Sequence, residues 1–256
     1  MSGSGIVVAI DGPAGSGKSS VAREAAVRLG FDFLDTGAAY RALGWLVLEH
    51  RADPDDEAAV LGVLEGFEYE TTLDTGERRV FVGGTDVTRA IREPRVSAAA
   101  SRVARVPAVR RRVNERFRAI IDAEEHGIVV EGRDITTVVA PDADVRVLLT
   151  AAPEVRASRR VAELGLANDA DGIAAALETM RERDERDRQT VDFMKAAEED
   201  GVHVVDSTEL DFRQTVQAIV DLVREAGFET PPGAAPQPKG FETPPGVAPQ
   251  PSDGAA

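Results

Sequence analysis

"IVVAIDGPAGSGKSS", residues 6–20, sets five apolar residues directly ahead of a glycine-rich turn that ends in lysine and serine. A short apolar run bounded by such a turn reads as a buried strand. The turn itself, Gly12-Pro13-Ala14-Gly15-Ser16-Gly17-Lys18-Ser19, fits G-x-x-x-x-G-K-[ST] at every position. Glycine carries no Cβ, so backbone N–H groups here can turn inward around a phosphate oxygen. A helix beginning near Lys18 would aim its positive end at the same point. Lys18 then reaches the β- and γ-phosphates of a bound nucleotide, and Ser19 is the candidate Mg²⁺ ligand.

The motif leaves the reaction open, because switch GTPases, motor ATPases and small-molecule kinases share it. The chain has no Asn-Lys pair, so the guanine-reading Asn-Lys-x-Asp is missing. The hydrophobic strand ending in aspartate that marks many ATPases is not evident either.

Working outward, strand-like runs at 5–10, 128–131, 144–149 and 202–206 alternate with helical patterns at 18–29, 37–50, 107–125, 153–165, 170–189 and 209–226. This alternation predicts an α/β fold, a parallel sheet covered by helices on both faces. Phe67–Thr72 and Arg79–Val82 flank Asp74-Thr75-Gly76 and read as an antiparallel hairpin. A small inserted subdomain over about 65–105 is expected, with a short lid over about 153–170. The folded unit would then span 1–226.

Residues 227–256 differ from the rest. "GFETPPGAAPQP" (227–238) recurs as "GFETPPGVAPQP" (240–251), and eight of the chain's 14 prolines fall here. Neither helix nor central strand suits such a segment, and a disordered tail is expected. Phe228 and Phe241 are candidates for docking an unidentified partner.

Composition narrows the function classes. The 256 residues include no cysteine, which removes disulfides and thiol catalysis and suits a reducing cytoplasm. His50, His126 and His203 lack metal-ligand spacing. No stretch reaches the roughly 18 apolar residues of a membrane span. The net charge of −15 disfavours nucleic acid and anionic membranes as partners. An anionic ligand would need a local arginine cluster.

Two segments can supply one. In Leu34-Asp35-Thr36-Gly37-Ala38-Ala39-Tyr40-Arg41, Thr36 is a candidate helix N-cap and Arg41 lies one turn inside the helix. In "IVVEGRDITTVV" (128–139), a strand runs straight into Glu131-Gly132-Arg133-Asp134. Ligands of open α/β sheets sit beyond such carboxyl ends. Arg133 can neutralise a transferring phosphate and Asp134 can accept a hydrogen bond from substrate; a structural ion pair is the competing account. On "MRERDERDRQ" (180–189), Arg183 and Asp187 share a helical face, as a solvated charge ladder also would. Arg156, Arg159 and Arg160 form a further cluster that could close over phosphates.

Together "IDGPAGSGKSS", "FLDTGAAYRAL", "GTDVTRAIREPRVSAAASRVA", "VPAVR", "VVEGRDITTVVAPDADVRVLLTA", "RERDERD" and "VVDST" resemble the bacterial cytidylate kinases in order and spacing. The resemblance covers about residues 5–225. It implies a P-loop core with an NMP-binding insert and a lid, using ATP and Mg²⁺ to phosphorylate CMP and dCMP. It also implies site roles. Gly12, Pro13, Ala14, Gly15, Ser16, Gly17, Lys18, Ser19 and Ser20 would hold ATP, and Arg41 and Arg133 the CMP phosphate. Thr36, Arg110 and Asp134 would read the cytosine, and Arg183 and Asp187 the ribose. Lys18, Arg133 and Asp134 are the catalytic candidates. A cytoplasmic monomer is expected.

Two positions depart from the family pattern. Thr190 stands where an arginine is frequent, and Thr136 where glycine is familiar. Kinases of another small acceptor, or a nucleotide-dependent binding module, are the competing readings.

Overall fold

The computed structural model describes residues 5–163, 165, 169–188 and 193–228. In chain order these form β1 (Ile6–Asp11), α1 (Lys18–Leu29), β2 (Asp32–Asp35), α2 (Thr36–Glu49), α3 (Glu57–Leu64), β3 (Tyr69–Thr71), β4 (Val80–Val82) and β5 (Thr85–Asp86). There follow α4 (Pro94–Val103), α5 (Pro107–Asp122), β6 (Gly127–Gly132), β7 (Val145–Thr150), α6 (Pro153–Glu163), α7 (Ala170–Arg188), β8 (Val202–Asp206) and α8 (Phe212–Glu225). Every strand and helix anticipated from the apolar pattern of the main sheet is present, with ends within three residues of the expected ones. The helices α3 and α4 were not anticipated.

The main sheet has the order β2-β6-β1-β7-β8, and all its pairings are parallel. The chain steps one way across the sheet from β1 to β2, then returns through β6 to β7 and β8. That reversal opens a crevice beyond the carboxyl ends of β1 and β6. Register brings the acidic ends together: Ile10 lies beside Glu131, and Glu131 beside Asp35.

Alternation along the strands explains the two cores. Val8, Ile10, Val129, Val147 and Leu149 face α1 and α8, where Val21, Ala25, Val216, Ile219 and Val223 meet them. Ala9, Ile128 and Val130 face the other way, towards Leu43 and Val47 of α2 and Val113 and Phe117 of α5. These side chains are almost fully excluded from water. Each large one contributes about 1.5–3 kcal/mol by burial. Phe228, the first phenylalanine of the repeat sequence, also packs against the α8 side of this core.

A second sheet, β3-β4-β5, is antiparallel and fulfils the hairpin expectation. The Asp74 carboxylate accepts the backbone N–H groups of Gly76 and Glu77 and so closes the turn. Tyr69, Val80, Val82 and Val87 join the core on the α2 side. The loop before the turn touches the main sheet, where Phe33 N–H donates to the Leu73 carbonyl (2.9 Å).

The start of α2 corrects one expectation. Its N-cap is Asp35, whose carboxylate accepts from Ala38 N–H, and Thr36 is the first helical residue. The carboxylate satisfies one of the orphan donors of the first turn and suits the positive helix end. Among the described residues, no helix is long and apolar enough to cross a membrane.

Candidate active site

The loop between β1 and α1 has the shape its sequence implies. Gly15 and Gly17 adopt φ of 72° and 83°, values that favour glycine. A Cβ on Gly12 would stand 2.2 Å from the Leu149 carbonyl oxygen, so this position excludes any side chain. No side chain caps α1, whose first N–H groups face the loop. Ser16 Oγ is buried with no hydrogen-bond partner among the described residues. A backbone cradle, an uncapped helix end and an orphaned buried hydroxyl fit a polyphosphate. Lys18 Nζ lies 3.4 Å from the Pro13 carbonyl, folded along the loop. Ser20, two residues further on, is exposed.

Ser19 Oγ donates to Glu131 Oε1 at 2.7 Å. Glu131 was not singled out from the sequence as an acid serving this loop, although "IVVE" is an apolar strand ending in a carboxylate. The register of β6 beside β1 reveals it, since it sets Glu131 next to the residues that enter the loop. Burial pushes the Glu131 carboxyl up, and the Asp35 charge adds to this, against Lys18, Ser19 and Arg133. A cation between Ser19 and Glu131 would favour the ionised form. Two hard oxygen donors suit Mg²⁺, which keeps several waters and shares its shell with phosphates.

The second cluster gathers on the ends of β2 and β6. Arg41 Nη2 donates to Asp35 Oδ2 at 2.8 Å, and Arg78 Nη1 stands 3.5 Å from the same oxygen. Arg78 comes from the β3–β4 turn and also escaped the sequence reading. Its guanidinium carbon lies 5.4 Å from the centroid of the Phe33 ring. Burial raises the Asp35 carboxyl, but Arg41 and Arg78 together outweigh it and hold it below the ordinary range.

Arg133 reaches across to the phosphate loop. Its Nη1 donates to the Gly12 carbonyl (3.0 Å) and its Nε to Asp187 Oδ2 (3.0 Å). Asp134 pairs with Arg110 of α5. Burial pushes the Asp134 carboxyl up, with Arg110 opposing. Thr36 is buried, and its hydroxyl donates to the Glu131 carbonyl at 2.7 Å. The Arg183 side chain and Thr190 fall outside the described residues, as does Phe241. A cavity of about 590 Å³ opens between β3 and α5, with Ala39, Tyr69, Val113, Phe117, Arg112 and Arg116 among its lining residues. It includes no residue of the phosphate loop.

The α6 arginines do not form one open cluster. Arg156 Nη1 donates to the Ala14 carbonyl (2.8 Å) and to Asp184 Oδ2 (2.7 Å), while Ala14 N–H donates to Asp184 Oδ1 (3.0 Å). Arg159 donates to the Ser16 carbonyl, to Ser207 Oγ and to the Ser207 carbonyl. Arg160 pairs instead with Glu163 on the outside. Two of the three thus clamp the outer side of the phosphate loop.

A parallel sheet with a glycine loop, a lysine, a serine–carboxylate pair and a facing arginine cluster defines a P-loop phosphotransferase. The profile of the cytidylate kinase family matches residues 8–225, and the chain belongs to that family. It is 45% identical to a protein named cytidylate kinase from Cutibacterium acnes, covering 87% of this chain and 98% of the relative. Another of that name, from Streptomyces avermitilis, is 41% identical over 86% of this chain and 93% of its own length. The fold is similar to that of an uncharacterised protein from Eubacterium ventriosum, with a TM-score of 0.50, 13% identity and coverage of 86% of this chain and 98% of the other.

Proposed function

We propose that this protein transfers the γ-phosphoryl group of ATP to CMP or dCMP, releasing ADP and the cytidine diphosphate. The reading rests on family membership and on one observation. The pairing of β1 with β6 places the phosphate loop side by side with Glu131-Gly132-Arg133-Asp134. This neighbourhood at the carboxyl ends of two interior strands supports reading the loop as the donor cradle and the charges as the acceptor side.

Residues 12–20 hold ATP, with Lys18 on the β- and γ-phosphates. Ser19 and Glu131 hold Mg²⁺, which neutralises charge on the phosphate oxygens when bound. Arg41 and Arg133 hold the acceptor phosphate. An acceptor phosphate oxygen attacks the γ-phosphorus in line; the new P–O bond forms as the bond to ADP breaks, and ADP keeps the electron pair. No covalent enzyme intermediate is required, because catalysis is positioning plus charge neutralisation. Lys18 and Arg133 meet the charge that spreads over the equatorial oxygens.

Thr36, Arg110 and Asp134 read the base. Asp134, held by Arg110, accepts from the exocyclic amine of cytosine; uracil presents a carbonyl there and is disfavoured. Arg183 and Asp187 take the ribose. The chain then divides into a core, an NMP-binding insert over about 65–105 and a lid over about 153–170. Closure of insert and lid excludes water that would otherwise hydrolyse ATP. The tail has no catalytic part, and the protein works as a cytoplasmic monomer.

An ADP-release assay with a panel of acceptors tests this. Turnover with CMP and dCMP well above UMP and AMP is expected. Turnover with AMP or shikimate but not CMP would overturn it, and ATP binding without transfer to any monophosphate would point to a binding module.

A further inference from the structure

We infer that Arg78 is a third guanidinium for the acceptor phosphate, delivered to the pocket by the turn of the β3–β4 hairpin. This deepens the proposed kinase reading and rests on it.

The argument begins with placement. Arg78 lies 43 residues beyond Asp35, yet both its guanidinium and that of Arg41 approach Asp35 Oδ2. Two cations on one carboxylate leave an excess of positive charge at the place where the acceptor phosphate is expected. Other charges also act on Arg78: the cations Arg92 and Arg23 repel it, and Glu131, which already faces Ser19 and Lys18, attracts it. A phosphate dianion would relieve the crowding of these cations, and Arg41 and Arg78 could each turn a second N–H towards it.

Pre-organisation supports the assignment. The hairpin is fastened beside Arg78 by the Phe33 N–H to Leu73 carbonyl bond. The guanidinium lies over the Phe33 ring, and Phe33 is itself almost fully buried. Stacking fixes the plane of an arginine at little further entropic cost. The Arg78 side chain remains 25% exposed, so it is open to a ligand. Its neighbour Arg79 shows the contrast: it turns outward, is about half exposed, and its ion pair among the described residues is with Glu77, two residues away.

The test compares CMP with cytidine, which lacks the phosphate. In Arg78→Ala, the dissociation constant and KM for CMP should rise about 10- to 100-fold, the usual worth of a charge-assisted hydrogen bond. Cytidine measured as a competitive inhibitor, and the KM for ATP, should change less than about twofold. Arg78→Lys should recover part of the loss, since it keeps the charge but not the planar fork. Equal weakening of CMP and cytidine would reduce Arg78 to a strut for the hairpin and overturn the inference, as would unchanged binding of both. If the wild type prefers another monophosphate, the same comparison with that acceptor and its nucleoside decides the role of Arg78 while refuting the cytidylate reading. A wild type that phosphorylates no monophosphate overturns both.

Discussion

Asp11 and Thr136 are joined by a buried hydrogen bond of 2.6 Å, from the threonine hydroxyl to Asp11 Oδ2. The same carboxylate accepts the backbone N–H groups of Ile135 (2.9 Å) and Thr136 (2.8 Å). Asp11 immediately precedes the phosphate loop, and residues 135–136 immediately follow Asp134. The turn over 135–139 is a single π-type turn, in which Val139 N–H reaches back to the Asp134 carbonyl. One carboxylate therefore fastens the strand that enters the phosphate loop to the turn that follows Arg133 and Asp134, the residues proposed for the acceptor side. A glycine at 136 could supply only its N–H; this threonine adds a third donor.

Thr136→Val should therefore lower stability by about 1–3 kcal/mol, because it leaves a fully buried carboxylate one donor short. Urea denaturation measures this. Thr136→Ser, which keeps the hydroxyl, should lose much less.

Glu131→Gln keeps the volume of the side chain and removes its charge. The Mg²⁺ concentration for half-maximal activity should rise by roughly 10- to 100-fold, the usual cost of losing a cation's supporting partner. Steady-state assays across a Mg²⁺ series check it. An unchanged requirement would remove Glu131 from the cation site.

Asp184 joins Ala14 N–H to Arg156, with both charged side chains nearly buried. Asp184→Ala strands the guanidinium and should destabilise the protein by about 3–5 kcal/mol. The KM for ATP should also rise more than the KM for CMP, because the tether sits on the donor loop. Thermal melts and paired kinetics separate the two effects.

Asp35 governs an acid limb. Its carboxyl is held below the ordinary 3.8 as Arg41 and Arg78 overcome the penalty of burial. A depressed carboxyl stabilises the fold above its unfolded value, and that contribution disappears as pH falls through the folded value. Urea midpoints in the wild type should begin to drop as pH falls below about 5 and keep dropping below the ordinary carboxylate value. The drop should be shallower in Asp35→Asn, which starts from lower stability at neutral pH.

Phe228 packs on the core through the α8 side. Truncation after Phe228 should leave turnover and melting temperature near those of the full chain. Truncation before it should lower the melting temperature while leaving KM values intact. A fall in turnover on removing residues 229–256 would give the repeat a place in the site.

Four strands of the main sheet, β1, β6, β7 and β8, were legible because they are rich in Val, Ile or Leu, and the phosphate loop because its chemistry is local. The helices α3 and α4 were not. The first spans only Glu57–Leu64 with a glycine inside, and the second, "PRVSAAASRV", hides its buried face among small residues. Their signals were the starts: Asp56 caps one through Ala58 and Ala59 N–H, and Pro94 opens the other. Glu131 and Arg78 were missed for another reason. Their importance depends on which strand lies beside which, and on a hairpin folding back over β2, and neither contact leaves a local pattern. The Asp35 cap was mistaken for Thr36 because both residues suit that place, and only geometry decides between them.

Glu131, Arg133 and Asp134 follow one another with a single glycine between the first two. On the roles proposed here, cation, phosphate and base are served from four adjoining positions of one chain segment, so their separation is fixed by backbone length. A one-residue insertion inside this segment would shift Asp134 by about 3.8 Å and uncouple base choice from phosphate transfer. Variation in chain length that spares activity is thereby confined to loops elsewhere.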